Sequence, residues 1–366
     1  MDKVVGLITT NYGIKEMDLI AGERTLSSLP YGSRYRIIDF PLSNMVNSGI
    51  NTVGIITPYK YRSIIDHIGT GSEWSLDRKR GGLFILPGSI FGVSNSESRF
   101  MIRDFELNIT YLHRSPAPYV LVTAGSVVSN MDYTGLYEAH KKSGADITMV
   151  YNIAKEDDEY LCKIDDTDGR VNKVSVGVKE GDKEFLDCFI INREKLLDIV
   201  EWYQAVNFKD LFDAIEDEYD KIDVRLYEFT GYYGNVFSVK KYFRSCMDPL
   251  NLDINREIFN PDMPVLTKGH DTAPTKYNEG CKVKNSLIPA GCTISGTVED
   301  SVLFRNVVVE EGAVIKNSII MQKCVIKAGA VVENAIIDMK NVIQEGIVVK
   351  GSKESIYFKE KNDKWD

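Results

Sequence analysis

The chain has 366 residues, of which 43% are hydrophobic and 27% charged, and its formal net charge is −9. That length accommodates two domains, because single cores stop growing at about 250–300 residues. The acidic balance gives no electrostatic reason to bind nucleic acid or an anionic membrane, and no apolar run reaches the roughly 18 residues needed to cross a bilayer. The expectation is a cytoplasmic protein without nucleic-acid or membrane partners.

The chain opens on Val4-Val5-Gly6-Leu7-Ile8, a continuous apolar run of the kind a strand buried on both faces requires. A glycine-poor loop follows. Next comes Arg34-Tyr35-Arg36-Ile37-Ile38-Asp39-Phe40-Pro41-Leu42-Ser43-Asn44, with Asn47-Ser48-Gly49-Ile50 close behind. Thr52 to Ile56 reads as a strand and Tyr61 to Ile68 as an amphipathic helix. Asp77 to Gly82 reads as a solvated loop before a strand at Leu83 to Leu86. The pair Tyr119–Val122 and Tyr133–Lys142 repeats the strand–helix pattern. Asp146–Tyr151 and Phe185–Ile191 continue the sheet, with helices at Glu194–Val200 and Leu211–Tyr219. Alternation of this kind predicts an α/β, Rossmann-like domain with a mostly parallel sheet over residues 1–245.

Between Pro249 and Pro274 the composition turns to Pro, Asn and Asp, which resist helix and central strand, so residues 246–280 read as a linker. A repeat follows. Val302, Val308, Val314, Ile320, Ile326 and Val332 lie six residues apart, each preceded two positions earlier by a small or short residue: Asp300, Asn306, Gly312, Ser318, Cys324 or Ala330. The register shifts to Ile288 and Ile294 upstream, and to Ile337, Ile343 and Val349 downstream. One inward aliphatic and one small corner residue per six predicts a left-handed parallel β-helix of hexapeptide repeats over 281–352, with 353–366 as a C-terminal tail. Asn-Gly pairs, which would favour hairpins, are absent from this stretch.

An α/β domain carrying Arg36-Ile37-Ile38-Asp39-Phe40 and Leu42-Ser43-Asn44, followed by a hexapeptide β-helix entered through Ser295-Gly296-Thr297-Val298-Glu299-Asp300, resembles the ADP-glucose pyrophosphorylase (glucose-1-phosphate adenylyltransferase) family of nucleotidyltransferases. The resemblance implies transfer of an adenylyl group from ATP to glucose 1-phosphate. That chemistry needs a neutralised triphosphate, a magnesium ion and an aligned sugar phosphate. Active members place G-G-x-G-T-R after the first strand. A gapless alignment on Arg36 puts Asn11, Tyr12, Gly13, Ile14, Lys15 and Glu16 there, so the clamping arginine becomes Glu16.

Other family positions change as well. The lysine of R-A-K-P falls on Leu26, although its arginine remains as Arg24. A nucleotide-segment glycine falls on Phe100, where a ring replaces close backbone approach. The two magnesium aspartates fall on Ser126 and Asn235, and E-K-P falls on Val176-Gly177-Val178, removing the sugar-binding carboxylate and the phosphate-binding lysine. Asn11, Glu16, Leu26, Phe100, Ser126, Val176, Gly177 and Asn235 are therefore expected to form a degenerate site, with no catalytic, cofactor-binding or metal-ligating residue.

The resemblance thus points to the D-type, regulatory kind of subunit in bacterial glycogen synthesis, catalytically deficient alone. Magnesium and ATP would bind in a catalytic partner, within a hetero-oligomer expected to be a tetramer, and a small-molecule effector is allowed. Two rivals are an active sugar-phosphate nucleotidyltransferase with an altered site and a β-helix acyltransferase using His270. Arg34 and Arg36 are candidates for an anion but are expected to pair locally with Asp39. Asp132 and Asp213 are poorly placed to replace the lost ligands. His67, His113 and His140 lie on apparent helices without ligand spacing, and the six cysteines read as buried thiols rather than zinc ligands or disulfides.

Overall fold

The structure, a computed structural model, describes residues 3–57, 60–89 and 98–361. The opening apolar run forms a fully buried strand, β1 (Val4–Thr9). Its sheet also contains β2 (Thr52–Thr57), β3 (Gly82–Pro87), β4 (Tyr119–Ala124), β5 (Ile147–Ile153), β6 (Asp158–Thr167), β7 (Arg170–Val178), β8 (Lys183–Asn192) and β9 (Val224–Glu228). Across the sheet the order is β3-β2-β1-β4-β8-β5-β9-β7-β6. The first four strands in that order are parallel, and β9 is parallel to β5. Strands β8 and β7 run antiparallel to their neighbours. Val5 and Leu7 enter one core cluster while Val4 and Ile8 enter another, as the two faces of a covered strand require.

Two differences from the sequence reading concern solvated elements. The long β6–β7 hairpin was not expected, because its strands alternate charge and short apolar residues rather than forming an apolar run. The expected helix Leu211–Tyr219 is a single turn, Leu211–Ala214, followed by a 3-10 turn, Glu216–Glu218.

Helix Val239–Met247 crosses the expected domain boundary at 245. Residues 246–280 also hold a helix, Leu252–Ile258, which Asn251 caps by accepting hydrogen bonds from the Asp253 and Ile254 amides. The β-helix starts at Lys276–Tyr277, which pairs with Thr293–Ile294, and extends to Tyr357–Lys359, which pairs with Ala335–Ile337. It is therefore wider than 281–352, and the expected tail supplies its last strand; residues 362–366 lie outside the described residues.

Three parallel sheets form the sides of the left-handed β-helix. Val298 pairs with Ile315, Ile315 with Val332 and Val332 with Val349, so one turn is 17 residues. The buried inward residues are Val298, Leu303, Val309, Ile315, Ile320, Ile326, Val332, Ile337, Ile343 and Val349, in steps of five, six and six. Val308 and Val314, expected inside, are half-buried on the outer surface. One side of every turn is a residue short, and this corrects the strict six-residue register. The small inner corners are filled by Ala313, Ser318, Cys324, Ala330 and Ala335. At one outer corner Asp300, Asn317 and Asn334 adopt φ of 45°, 41° and 51°, which short polar side chains tolerate, and Asn317 Nδ2 donates to Asn334 Oδ1 at 2.6 Å.

One side of the β-helix packs on the α/β domain, since Val302, Phe304, Ile319, Met321 and Ile336 join its main core cluster. The Arg24 guanidinium, from the α/β domain, crosses that junction and donates to both Asp338 oxygens, at 2.7 and 3.2 Å.

Candidate functional site

Open α/β sheets bind ligands where successive connections leave in opposite directions, at the carboxyl ends of the strands. Here β1 connects to β2 on one side, while β4 pairs with its other side. The expected site is the crevice formed by residues 10–16 and Gly125–Ser126.

That crevice is filled from within. A phosphate-binding loop needs exposed backbone N–H groups and space beside them. Instead Thr10, Asn11, Tyr12 and Ile14 are all buried. Asn11 Nδ2 donates to both Asp104 oxygens, at 2.9 and 3.0 Å. Tyr12 crosses the crevice and its hydroxyl hydrogen-bonds Ser126 Oγ. Burial pushes the Tyr12 phenol up, holding it neutral. Leu26 is packed in the main core, and Phe100 meets Phe189 edge to face at 5.1 Å with Phe185 and Phe212 beside it. Glu16 is exposed at the mouth, where its carboxylate accepts from the Tyr160 hydroxyl at 3.0 Å.

The two positions that the resemblance equates with magnesium aspartates do come together. A short antiparallel pair sets Asn235 opposite Val127, beside Ser126. Neither side chain suits the ion. Ser126 is fully buried against the Tyr12 hydroxyl, and Asn235 donates to Asp158 at 3.2 Å. Asp158 is in turn held by the Lys241 ammonium at 2.9 Å, and Lys241 also reaches Glu156 at 2.7 Å. Among the described residues no three His, Cys, Asp or Glu side chains converge to hold a metal ion. The donor set does not fit magnesium.

Deeper in the crevice Arg99 is buried against Asp187 at 3.0 Å, with its guanidinium 4.2 Å from the centre of the Phe237 ring. Burial pushes both Asp187 and Asp210 up to about 6. Asp210 caps the Leu211–Ala214 turn by accepting from the Phe212 amide, and its other oxygen accepts from the Phe100 amide. A cleft of about 130 Å³ remains between these groups and the hairpin. Val176 lines it and is 72% exposed, while Gly177 takes φ of 90° at a bulge in the β6–β7 ladder. Nothing at either residue recreates a sugar-phosphate ligand.

Asp132 caps the helix Tyr133–Ser143 through the Thr134 amide, and Asp213 is exposed on the Leu211 turn. Cys188, Cys246, Cys292 and Cys324 are buried free thiols, whereas Cys162 and Cys281 are only half-buried. Arg36 bonds the Ser63 carbonyl through its guanidinium and Asp39 through its backbone amide, while His67 takes the other Asp39 oxygen.

A second cavity, of about 400 Å³, lies between the two domains. Arg34, Arg36, Lys268, His270, Arg305 and Lys323 line it, with Asp66 and Asp271. Burial lowers the Arg305 pKa and the nearby Arg34 lowers it further; burial and the charges of Arg305 and Lys268 lower that of His270. Cations that depress one another in a half-buried cleft form a field suited to a multiply charged anion. The sequence reading missed the β-helix contribution. The 17-residue turn would have revealed it, since Arg305 and Gln322, like Asn306 and Lys323, are one turn apart.

Comparison with known proteins agrees with this architecture. A nucleotidyl transferase family model matches residues 23–174, and a model described as GlmU-like, C-terminal hexapeptide matches residues 272–355. The chain is 32% identical over 316 residues to a glycogen biosynthesis protein GlgD from Bacillus subtilis (strain 168), covering 86% of this chain and 83% of that one. The GlgD protein of Geobacillus stearothermophilus is 35% identical over 314 residues with the same coverage. A glucose-1-phosphate adenylyltransferase from Clostridium botulinum (strain Alaska E43 / Type E3) is 30% identical over 330 residues, again covering 86% and 83%. The chain belongs to the glucose-1-phosphate adenylyltransferase family. Within that family its similarity extends both to proteins named for glycogen biosynthesis and to named adenylyltransferases. The family scaffold is retained across both domains, while its crevice holds the buried side-chain network described above.

Proposed function

We propose that this chain is a regulatory subunit of glucose-1-phosphate adenylyltransferase, catalytically deficient alone, acting in cytoplasmic glycogen biosynthesis through a hetero-oligomer with a catalytic subunit. The observation that carries the reading is the filled crevice: the Tyr12–Ser126 contact and the Asn235–Asp158–Lys241 chain stand where phosphates and a cation would be needed. Magnesium and ATP then belong to the partner. Losing a single preorganised donor costs about 10²–10³ in rate, and groups that act as a unit do not recover singly.

Regulation requires differential affinity for two states, typically worth about 1–3 kcal/mol. The basic interdomain cleft is the natural receptor for an anionic effector, because a ligand there contacts both domains. The test is an assay of pyrophosphate release with magnesium, ATP and glucose 1-phosphate. The chain alone is expected to be inactive, and adding it to the catalytic subunit is expected to change that subunit's activity or activator response. Ordinary turnover by the isolated chain would overturn the reading.

A further inference from the structure

We infer that the outer edge of the sheet at β3 is the surface through which this chain docks a different subunit, one whose contact face is apolar at the centre and acidic around it. The occupant is the catalytic subunit of the preceding proposal, and the inference rests on that proposal.

Strand β3 is the last in the sheet order, with β2 as its one pairing strand among the described residues. Its sequence, Gly82-Leu83-Phe84-Ile85-Leu86-Pro87, carries no charge, although natural edges are normally blunted by charged side chains, bulges or covering segments. Both ends are closed from within the chain. The Leu83 amide donates to the Leu76 carbonyl, and Asn108 Nδ2 donates to the Pro87 carbonyl. By the alternation of the strand, the Ile85 backbone turns outward as the Leu83 amide does. Phe84 and Ile85 are 41% and 38% exposed, and Leu107, on the adjoining helix Ile102–Leu107, is 58% exposed. Phe84 rests against the Tyr111 ring at 5.3 Å, forming the wall of a groove of about 730 Å³.

The charges decide between occupants. Arg78, Arg80 and Arg114 line the groove and no carboxylate does, in a chain whose net charge is −9. A two-fold contact with a second copy places the same patch against itself, and with it six arginines around one desolvated centre. A partner with carboxylates around an apolar contact instead satisfies both the edge and the arginines.

The experiment mixes the full chain with the glucose-1-phosphate adenylyltransferase encoded in the same genome and measures association by sedimentation velocity. Leu107→Glu, and separately Arg80→Glu with Arg114→Glu, alter exposed side chains and are checked for unchanged circular dichroism and melting. Each is expected to weaken association at least about tenfold, and the parent complex to weaken as salt rises. Folded variants that associate like the parent overturn the docking surface and leave the regulatory reading standing. No association by the parent chain removes both. Variants that instead change the oligomeric state of the isolated chain assign the edge to a second copy and equally overturn the inference.

Discussion

Replacing Asp338 tests the junction on which any coupling between the domains depends. Arg24 reaches Asp338 through two parallel hydrogen bonds, and the side chains are 13% and 5% exposed. Arg24 also donates to the Ile20 and Ala21 carbonyls, so it is held in place before it meets the β-helix. In Asp338→Ala the guanidinium keeps two carbonyls and loses its counter-charge. Breaking a buried pair from one side costs about 3–5 kcal/mol, and the slight exposure of Arg24 puts the expectation near the lower end, at about 3 kcal/mol. For a unit this large that corresponds to a melting shift of about 4 °C in calorimetry. Arg24→Met with Asp338→Leu removes both charges and should recover all but about 1 kcal/mol. Hydrogen exchange should show faster opening around residues 20–24 and 336–340 in Asp338→Ala alone. A single variant that melts within about 1 °C of the parent would refute the claim that this pair joins the domains.

Other substitutions examine the crevice and the β-helix. Ser126→Asp with Asn235→Asp is expected to restore no magnesium-dependent pyrophosphate release and to lower stability by about 3 kcal/mol or more, because the first carboxylate would be buried against Tyr12; robust turnover would contradict this. Val309→Asp should unfold the β-helix in denaturant titrations, while Val308→Asp should cost within about 1 kcal/mol, since the first points inward and the second outward. Burial raises the Glu184 pKa from 4.5 to about 7, so its neutral form is favoured on folding and stability falls as pH rises between those values. Glu184→Gln should match the parent near pH 4 and exceed it near pH 8, by on the order of 3 kcal/mol in pH-dependent chemical denaturation; an equal stability difference at both pH values would contradict the assignment.

The sequence was most legible where burial is two-sided. Val4–Ile8 and Tyr119–Val122 announce themselves because both strand faces are covered. The β6–β7 hairpin stayed hidden because residues such as Asp165, Asn172 and Lys173 face solvent and no apolar stripe forms. In the β-helix the period was visible but its phase was not. Val308 and Val309 are both aliphatic, as are Val314 and Ile315, so a strict step of six selects the outer member of each pair. The substituted site positions could be named from the family resemblance, but what fills the space could not. Tyr12 meets Ser126 across 114 positions, and Arg99 meets Asp187 at a similarly remote separation, so no local spacing encodes either contact.

These contacts fit the proposal of a regulatory chain that is catalytically deficient alone. Buried groups kept unpaired for a ligand are a standing cost that a non-catalytic chain has no reason to bear. Several such groups are absent here: Asn235 donates to Asp158 and the Ser126 hydroxyl meets Tyr12, while Asn11 donates to Asp104 but leaves its own carbonyl oxygen buried without a partner. Relief is incomplete at Asp187, which keeps a φ of 51° and a carboxyl pushed up to about 6 while facing Arg99 in the remaining cleft. The interdomain cleft shows the opposite tendency, because the half-buried Arg36, Lys268 and Arg305 gather beside the exposed Arg34, His270 and Lys323, with only Asp66 and Asp271 in the lining to offset them. The two cavities therefore differ in physical character. The crevice has been made self-sufficient, whereas the cleft between the domains remains electrostatically incomplete, and that contrast favours regulation over catalysis as the function under selection.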